Sequence, residues 1–178
     1  MKKNVLVIYK SVTGFTKEYA ELITQEMDGT IMDCKNVTSE TMSKFDIIIF
    51  GGRMHAGRID GLKQTKKLFL HSNASHFIIF ATGASPNNAK DTIEEMWRNN
   101  LAPAELTDFP HFYMQSGLRY EKMPFLDKIM MKMFCSMMKK KKDKTDYEKQ
   151  FVNIITHSYD ISSKTYIMPL INYVTSLP

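Results

Sequence analysis

The sequence predicts an α/β fold: a doubly wound sheet of five parallel strands in the order 2-1-3-4-5, with helices on both faces and a helical insertion after the fifth strand. Two observations predict this class. Short apolar runs alternate with helical patterns along the chain. The runs at residues 5–9 and 47–50 are apolar without alternation, which is typical of strands buried on both faces of a parallel sheet.

The predicted elements follow each other in a regular order. Strands are predicted at residues 4–9, 30–34, 46–51, 77–82 and 109–115. Helices are predicted at residues 14–27, 61–71, 88–101, 123–138 and 145–159, with a short turn at 38–43. We expect one domain over residues 1–160, with the insertion at about 117–143, and a tail over 161–178. The tail is too apolar for a free linker, so we expect it to dock on this chain or on a partner.

Length and composition favour a cytoplasmic protein with a single core. A chain of 178 residues can bury a sizeable core. Its first residues show no signal-peptide pattern, and no apolar run is long enough to span a bilayer. Cys34 and Cys135 lack the spacing of metal ligands, so we expect reduced thiols and no metal site.

The positive charge is concentrated in one segment. The formal net charge is +5, and residues 119–149 hold ten Lys or Arg against five Asp or Glu, so this segment carries the whole excess. We expect it to meet something negatively charged. Nucleic acid is not the expected partner, because no nucleic-acid-binding motif accompanies the lysines.

Within this segment, residues 124–138 form an amphipathic helical pattern before a lysine run at 139–142. Its apolar residues recur at steps of three and four: Leu126, Ile129, Met130, Met133, Phe134 and Met137. A Met-rich face followed by lysines favours peripheral contact with an anionic membrane through residues 123–142. The equally weighted alternative is a helix that packs against its own sheet and ends in a solvated lysine turn.

The segment after the first strand has the composition of a phosphate site. Residues 11–16 read Ser-Val-Thr-Gly-Phe-Thr and open a helical pattern. The first N–H groups of a helix lack intrahelical partners and lie at the positive end of its dipole. The loop contains no Lys or Arg and no P-loop motif, which suits a phosphate monoester. The alternative is that Ser11 and Thr13 only cap the helix.

The other strand ends carry polar loops that contain glycine. Strand 3 leads into residues 51–58, strand 4 into 82–86 and strand 5 into 115–117. In a doubly wound sheet these ends lie at one edge, where ligands bind beside the switch point between strands 1 and 3. We interpret the glycines as places where the backbone approaches a flat ligand.

These residues carry a family resemblance. Residues 11–16 resemble the FMN phosphate loop of flavodoxins, and the predicted sheet is flavodoxin-like. Residues 51–57 and residues 116–133, which begin Ser-Gly-Leu-Arg-Tyr, resemble the flavodoxin-domain subfamily that includes bacterial menaquinone-dependent protoporphyrinogen oxidase. The resemblance covers about residues 4–158 and departs at 139–142, where lysines replace a polar stretch of the oxidases.

The resemblance implies non-covalent FMN as the cofactor. Thr13, Gly14 and Thr16 would hold the phosphate, and the loops at 51–57 and 82–86 would flank the ring. The implied cofactor-binding residues are Ser11, Val12, Thr13, Gly14, Phe15, Thr16, Gly52, Arg53, Met54, His55, Ala56, Gly57, Thr82, Gly83, Ala84 and Ser85.

The resemblance implies an FMN-dependent oxidoreductase similar to the protoporphyrinogen oxidases, in which FMN takes electrons from a tetrapyrrole and passes them to a quinone. The chemistry would belong to the flavin, so no catalytic side chain is identified. Arg53, Arg58 and Arg119 are candidates for binding tetrapyrrole carboxylates. The alternative is a flavodoxin-like electron-transfer protein or small FMN reductase with a protein partner, although such carriers are usually acidic around the flavin and this chain is basic. A domain that has lost FMN is disfavoured by the loop at 11–16.

Overall fold

The sheet has the predicted class and order. The computed structural model describes residues 3–143, 152 and 154–178. Five parallel strands pair in the order β2-β1-β3-β5-β6, which is 2-1-3-4-5 when only these five are counted. Their bounds are β1 Val5–Lys10, β2 Thr30–Asp33, β3 Ile47–His55, β5 His76–Gly83 and β6 His111–Gln115. Two short antiparallel additions were not predicted: β4 Arg58–Ile59 on β3, and the pair β7 Gly117–Leu118 with β8 Tyr159–Asp160.

The helices cover both faces of the sheet. They are α1 Phe15–Met27, α2 Ser39–Met42, α3 Leu62–Leu70, α4 Lys90–Asn100, α5 Pro103–Asp108, α6 Phe125–Lys140 and α7 Met168–Ser176. Short 3-10 turns occupy Cys34–Asn36, Tyr120–Lys122 and Lys164–Ile167. Neither α5 nor α7 was predicted. The predicted helix at 145–159 falls largely outside the described residues, and its last residue, Tyr159, begins β8 instead.

The interior strand β1 is buried on both faces, which explains its unbroken apolar run. Val5 and Val7 pack into a core cluster with α1 and α7. Leu6 and Ile8 point the other way, into a cluster with α3 and α4 that includes Trp97. Because successive side chains of a strand alternate between faces, both sets had to be apolar.

The C-terminal tail docks on this chain, at a place that the sequence left open. Ile167, Leu170, Ile171 and Val174 are buried in the same cluster as the inner face of α1. The helix α7 therefore completes the layer on one face of the sheet.

The side chain of Tyr19 joins three elements of this layer. Its hydroxyl donates to the carbonyl oxygen of Gln115 at 2.6 Å, where β6 ends. It accepts a hydrogen bond from the backbone N–H of Ser163 at 3.0 Å, where the tail begins. Burial raises the pKa of Tyr19 to about 12, because it penalises the charged form of the side chain.

Two glycines that follow the apolar run of β3 serve packing inside the protein. A Cβ on Gly51 would lie 2.0 Å from the ring of Phe80, and a Cβ on Gly52 would lie 2.6 Å from the carbonyl oxygen of Asp60. From the sequence, these glycines are expected to allow close approach of a ligand. The structure instead shows a neighbouring strand's ring and the chain after β4 in the space that a side chain would need.

Truncating the buried face of α7 should destabilise the fold. We expect Leu170→Ala, at a fully buried position, to lower the free energy of unfolding by about 2–5 kcal/mol, because it removes contacts and leaves a cavity. Met168→Ala is the matched control, because Met168 is exposed on the same helix. Urea denaturation measures both. Equal losses for the two variants would contradict the packing of α7 described above.

Candidate functional site

A cavity of about 480 Å³ lies at the carboxyl edge of the sheet, between the ends of the parallel strands and α6. The loop after β1, the ends of β3 and β5 and the chain after β6 all deliver residues to it, as the switch-point rule requires. The predicted site residues that line it are Thr13, Phe15, Thr16, Arg53, Met54, His55, Ala56, Thr82, Gly83 and Ala84. The four strand ends singled out in the sequence therefore converge on one space.

Six predicted residues lie outside the lining of this cavity. Val12 is exposed, and Gly57 lies in the exposed turn between β3 and β4. The space beside Gly52 is filled by the chain after β4. Ser85 contributes its carbonyl oxygen to the hydroxyl of Tyr113. The other two, Ser11 and Gly14, are joined by a hydrogen bond within the loop.

The loop at 11–16 leaves the start of α1 open. Gly14 is the N-cap of α1, with φ of 105°, and no side chain in the described part of the chain caps the first turn. The hydroxyl of Ser11 accepts a hydrogen bond from the Gly14 N–H at 3.2 Å, inside the loop. The Ser11 hydroxyl thus bonds the N-cap residue itself, and in the described part of the chain neither Ser11 nor Thr13 caps the N–H groups that follow it. The first N–H groups of α1 remain available to an anion at the positive end of the helix.

Two buried threonine hydroxyls face each other where α1 passes the end of β5. The Oγ1 atoms of Thr16 and Thr82 are 2.8 Å apart, and both side chains are almost fully buried. Each hydroxyl has one proton, and the bond between them uses one. The second proton can therefore be donated to a ligand in the cavity that both residues line.

An ion-pair cluster fixes α6 over the cavity. Arg53 donates from Nε to Asp60 at 2.7 Å and from Nη1 to Asp127, on α6, at 2.8 Å. The Nε2 atom of His55 lies 3.3 Å from the other oxygen of Asp127. Burial lowers the pKa of Arg53, but the hydrogen bonds to Asp60 and Asp127 outweigh it and leave the pKa raised. Asp127 thus ties the insertion to the end of β3.

The helix α6 supplies a wall of the cavity that the sequence analysis missed. Met130, Met131 and Phe134 line it, as does Met123 just before the helix. The apolar face that the sequence predicts for this helix includes neither Asp127 nor Met131. Asp127, Met130, Met131 and Phe134 follow at steps of three and four, and this spacing was the available signal for a helix that faces its own sheet.

The outer side of α6 remains exposed. Phe125, Leu126, Met133 and Met137 have exposed side chains, between 62% and 76% of their possible surface. One side of α6 therefore packs over the sheet, as one of the two alternatives expected, and the other side faces outward.

The three arginines proposed for ligand carboxylates are already bound to groups of the protein. Arg53 holds Asp60 and Asp127, and Arg58 donates to the carbonyl oxygen of Asn99. Arg119 is paired with Glu18 and Asp160 beside the loop at 11–16. Only Arg53 among them lines the cavity.

Comparison with known proteins assigns the chain to a family. A family model described as a flavodoxin domain matches residues 6–146, so the chain belongs to the flavodoxin-domain family. No curated protein matches it by sequence.

Several solved structures are similar to the chain at low identity. A WrbA-like flavodoxin from Agrobacterium tumefaciens is 17% identical, with 86% of this chain and 98% of that chain covered and a TM-score of 0.42. A flavodoxin from the domain Archaea is 15% identical, with 86% and 99% covered and a TM-score of 0.41. A flavoprotein from Lactobacillus acidophilus, solved in complex with FMN, is 17% identical, with 64% and 92% covered and a TM-score of 0.40.

Substitution of Gly14 should disturb the loop through its contacts. We expect Gly14→Ala to lower the free energy of unfolding by about 1–3 kcal/mol for the positive φ, and by more because its Cβ would meet Arg119 Nη1 at 2.8 Å. Gly57→Ala is the matched control, because Gly57 has a φ of 77° and nothing within 4 Å of its Cβ position. Thermal and urea unfolding measure both. A larger loss for Gly57→Ala would contradict this account.

Proposed function

We propose that the protein is an FMN-dependent oxidoreductase that binds FMN in the cavity at the strand ends. The observation that carries the proposal is the uncapped start of α1 beside the buried Thr16–Thr82 pair, in a chain of the flavodoxin-domain family. A helix N-terminus with neutral donors is a site for a phosphate monoester. The cavity volume of about 480 Å³ lies in the range of small-molecule sites.

The residues at this edge fit the two ends of the cofactor. Thr13, Gly14 and Thr16 would hold the phosphate with hydroxyl and backbone donors. Residues 53–56 and 82–84 would flank the ring, with α6 as the opposite wall. When bound, the flavin supplies hydride and electron transfer, and the protein orients it and shields it from water.

The wall opposite the loops is suited to a flat apolar group. Met54 on β3 and Met130, Met131 and Phe134 on α6 bring polarisable side chains to one cavity. Neither loop offers Trp or Tyr as a stacking partner, since Tyr113 uses its hydroxyl to hold Ser85. We propose that methionine side chains replace aromatic ones at the ring.

The finer proposal is a substrate of the protoporphyrinogen-oxidase type, a tetrapyrrole with a quinone as electron acceptor. It rests on the resemblance of residues 51–57 and 116–133 to that subfamily. The Arg53 contact with Asp127, at the position of that second motif, supports a role for the insertion at the site. The alternative is an electron-transfer protein or small FMN reductase with a protein redox partner.

The outer face of α6 supports a second part of the proposal, peripheral contact with an anionic membrane. Apolar side chains at Phe125, Leu126 and Met133 point outward, beside Lys128 and Lys132 and before the lysine run at 139–142. Exposed apolar surface next to lysines binds anionic lipid by burial and by charge. In the described part of the chain, no helix has the length and apolar character needed to cross a membrane.

Flavin binding and substrate class can be tested together. We expect the purified protein to carry flavin absorption bands, or to quench FMN fluorescence on titration, and to release FMN when denatured. The loaded protein should then oxidise a porphyrinogen with a quinone as acceptor. Flavin binding with reduction only by a protein partner would favour the alternative, and failure to bind flavin would refute both.

Membrane contact predicts a loss of binding when the outer face becomes polar. We expect the double variant Leu126→Gln with Met133→Gln to bind phosphatidylglycerol vesicles about tenfold or more weakly, because two exposed apolar side chains no longer enter the bilayer. Ser136→Gln, exposed on the same helix, is the control. Vesicle co-sedimentation is the measurement. The proposal would be contradicted if the two variants bound the anionic vesicles equally well. It would also be contradicted if the protein bound neutral phosphatidylcholine vesicles as strongly as anionic ones.

A further inference from the structure

We propose that Arg119 is the cation that binds the flavin phosphate. Glu18 and Asp160 hold the Arg119 side chain beside the phosphate loop. The inference rests on the proposed FMN site and names a binding residue that the loop itself does not contain. The sequence of residues 11–16 offers only neutral donors, so the charge of a phosphate would otherwise meet the helix dipole alone.

The guanidinium lies against the loop. Its central carbon is 3.8 Å from the centroid of the Phe15 ring, and Phe15 is the first residue of α1. Its Nη1 atom donates to the carbonyl oxygen of Thr13 at 3.4 Å. A Cβ on Gly14 would lie 2.8 Å from the same atom, so the glycine leaves the space that the guanidinium uses.

The acidic partners of Arg119 hold its side chain near the site, whereas its contact with Thr13 is weak. Its Nη2 atom donates to Glu18 and to Asp160, each at 2.8 Å, and Nη1 donates to the other oxygen of Glu18. The bond to Thr13 is the longest of the set. A phosphate oxygen is a stronger acceptor than a carbonyl oxygen, so the donor now used on Thr13 is the one that can turn to a ligand.

A phosphate bound to Arg119 would share this cation with the carboxylate of Glu18. Glu18 lies in the first turn of α1, where a negative charge is stabilised by the helix, and its carboxylate holds the pKa of Arg119 above the ordinary value. A second cation, Lys122 Nζ, would lie 3.9 Å from the same Cβ position on Gly14. Two cations of the insertion therefore lie near the start of α1, and one of them is paired with Glu18.

This arrangement couples phosphate binding to the insertion. Arg119 begins the turn that leads to α6, and Asp160 is in β8, which pairs with β7. A phosphate on Arg119 would thus be held by a residue of the insertion together with the loop at 11–16. Removing the phosphate from the cofactor should therefore weaken binding only through the lost contacts with Arg119 and with the loop at 11–16.

The test compares FMN with riboflavin, which lacks the phosphate. We expect Arg119→Gln to weaken FMN binding roughly 10- to 100-fold, the effect of losing a charged hydrogen bond, and to leave riboflavin binding unchanged. Arg119→Lys should recover part of the loss, because it keeps the charge. Arg98→Gln is the control, because Arg98 is paired with Glu94 on the exposed side of α4. Fluorescence titration gives all the dissociation constants.

A variant of Glu18 separates binding from structure. Glu18→Gln removes the competing anion, so we expect it to tighten FMN binding without changing riboflavin binding. If Arg119→Gln and Glu18→Gln weaken FMN and riboflavin alike, the pair is only structural and the inference is overturned. The inference is also overturned if the wild-type protein binds FMN no more tightly than the Arg119→Gln variant does. Wild-type protein that binds no FMN instead refutes the proposed function.

Discussion

The parallel pairing of β1 with β3 is the constraint on which the rest of the structure depends. The register runs from Val5 opposite Ile47 to Lys10 opposite Gly52, without a break. Because both strands run the same way, the loop after β1 and the end of β3 emerge at the same edge. The buried runs of both strands keep that register, since a slip by one residue would turn apolar side chains to the wrong face.

The chain after β6 returns to this edge and contacts it on both sides. Arg119 reaches the start of α1, and Asp127 reaches Arg53 at the end of β3. Between these two contacts the chain passes Met123, which lines the cavity before α6 begins. The insertion is therefore both a wall of the site and an outward-facing apolar surface. A single segment with these two faces explains why its sequence supported two interpretations at once.

The sequence was most informative where local patterns decide the structure. Unbroken apolar runs located β1 and β3, and hydroxyls with glycine located the loop at 11–16. The pairing of Gly117 with Asp160 joins residues far apart in the chain, and two-residue strands leave no periodic pattern. The partners of Asp127 depend on how α6 docks against the sheet, and the spacing of residues within the helix does not predict that docking. The helix α5 has only six residues, although Pro103 at its start was a usable signal.

The most direct test of the central claim follows methyl groups of methionine by NMR while FMN is added. Met54, Met130 and Met131 line the cavity from two sides, whereas Met42 is fully buried in the core beside α3. If FMN binds between the loops and α6, the signals of the three cavity methionines should shift strongly because of the flavin ring, and that of Met42 should not. Unchanged signals for Met54, Met130 and Met131 at saturating FMN would contradict the account.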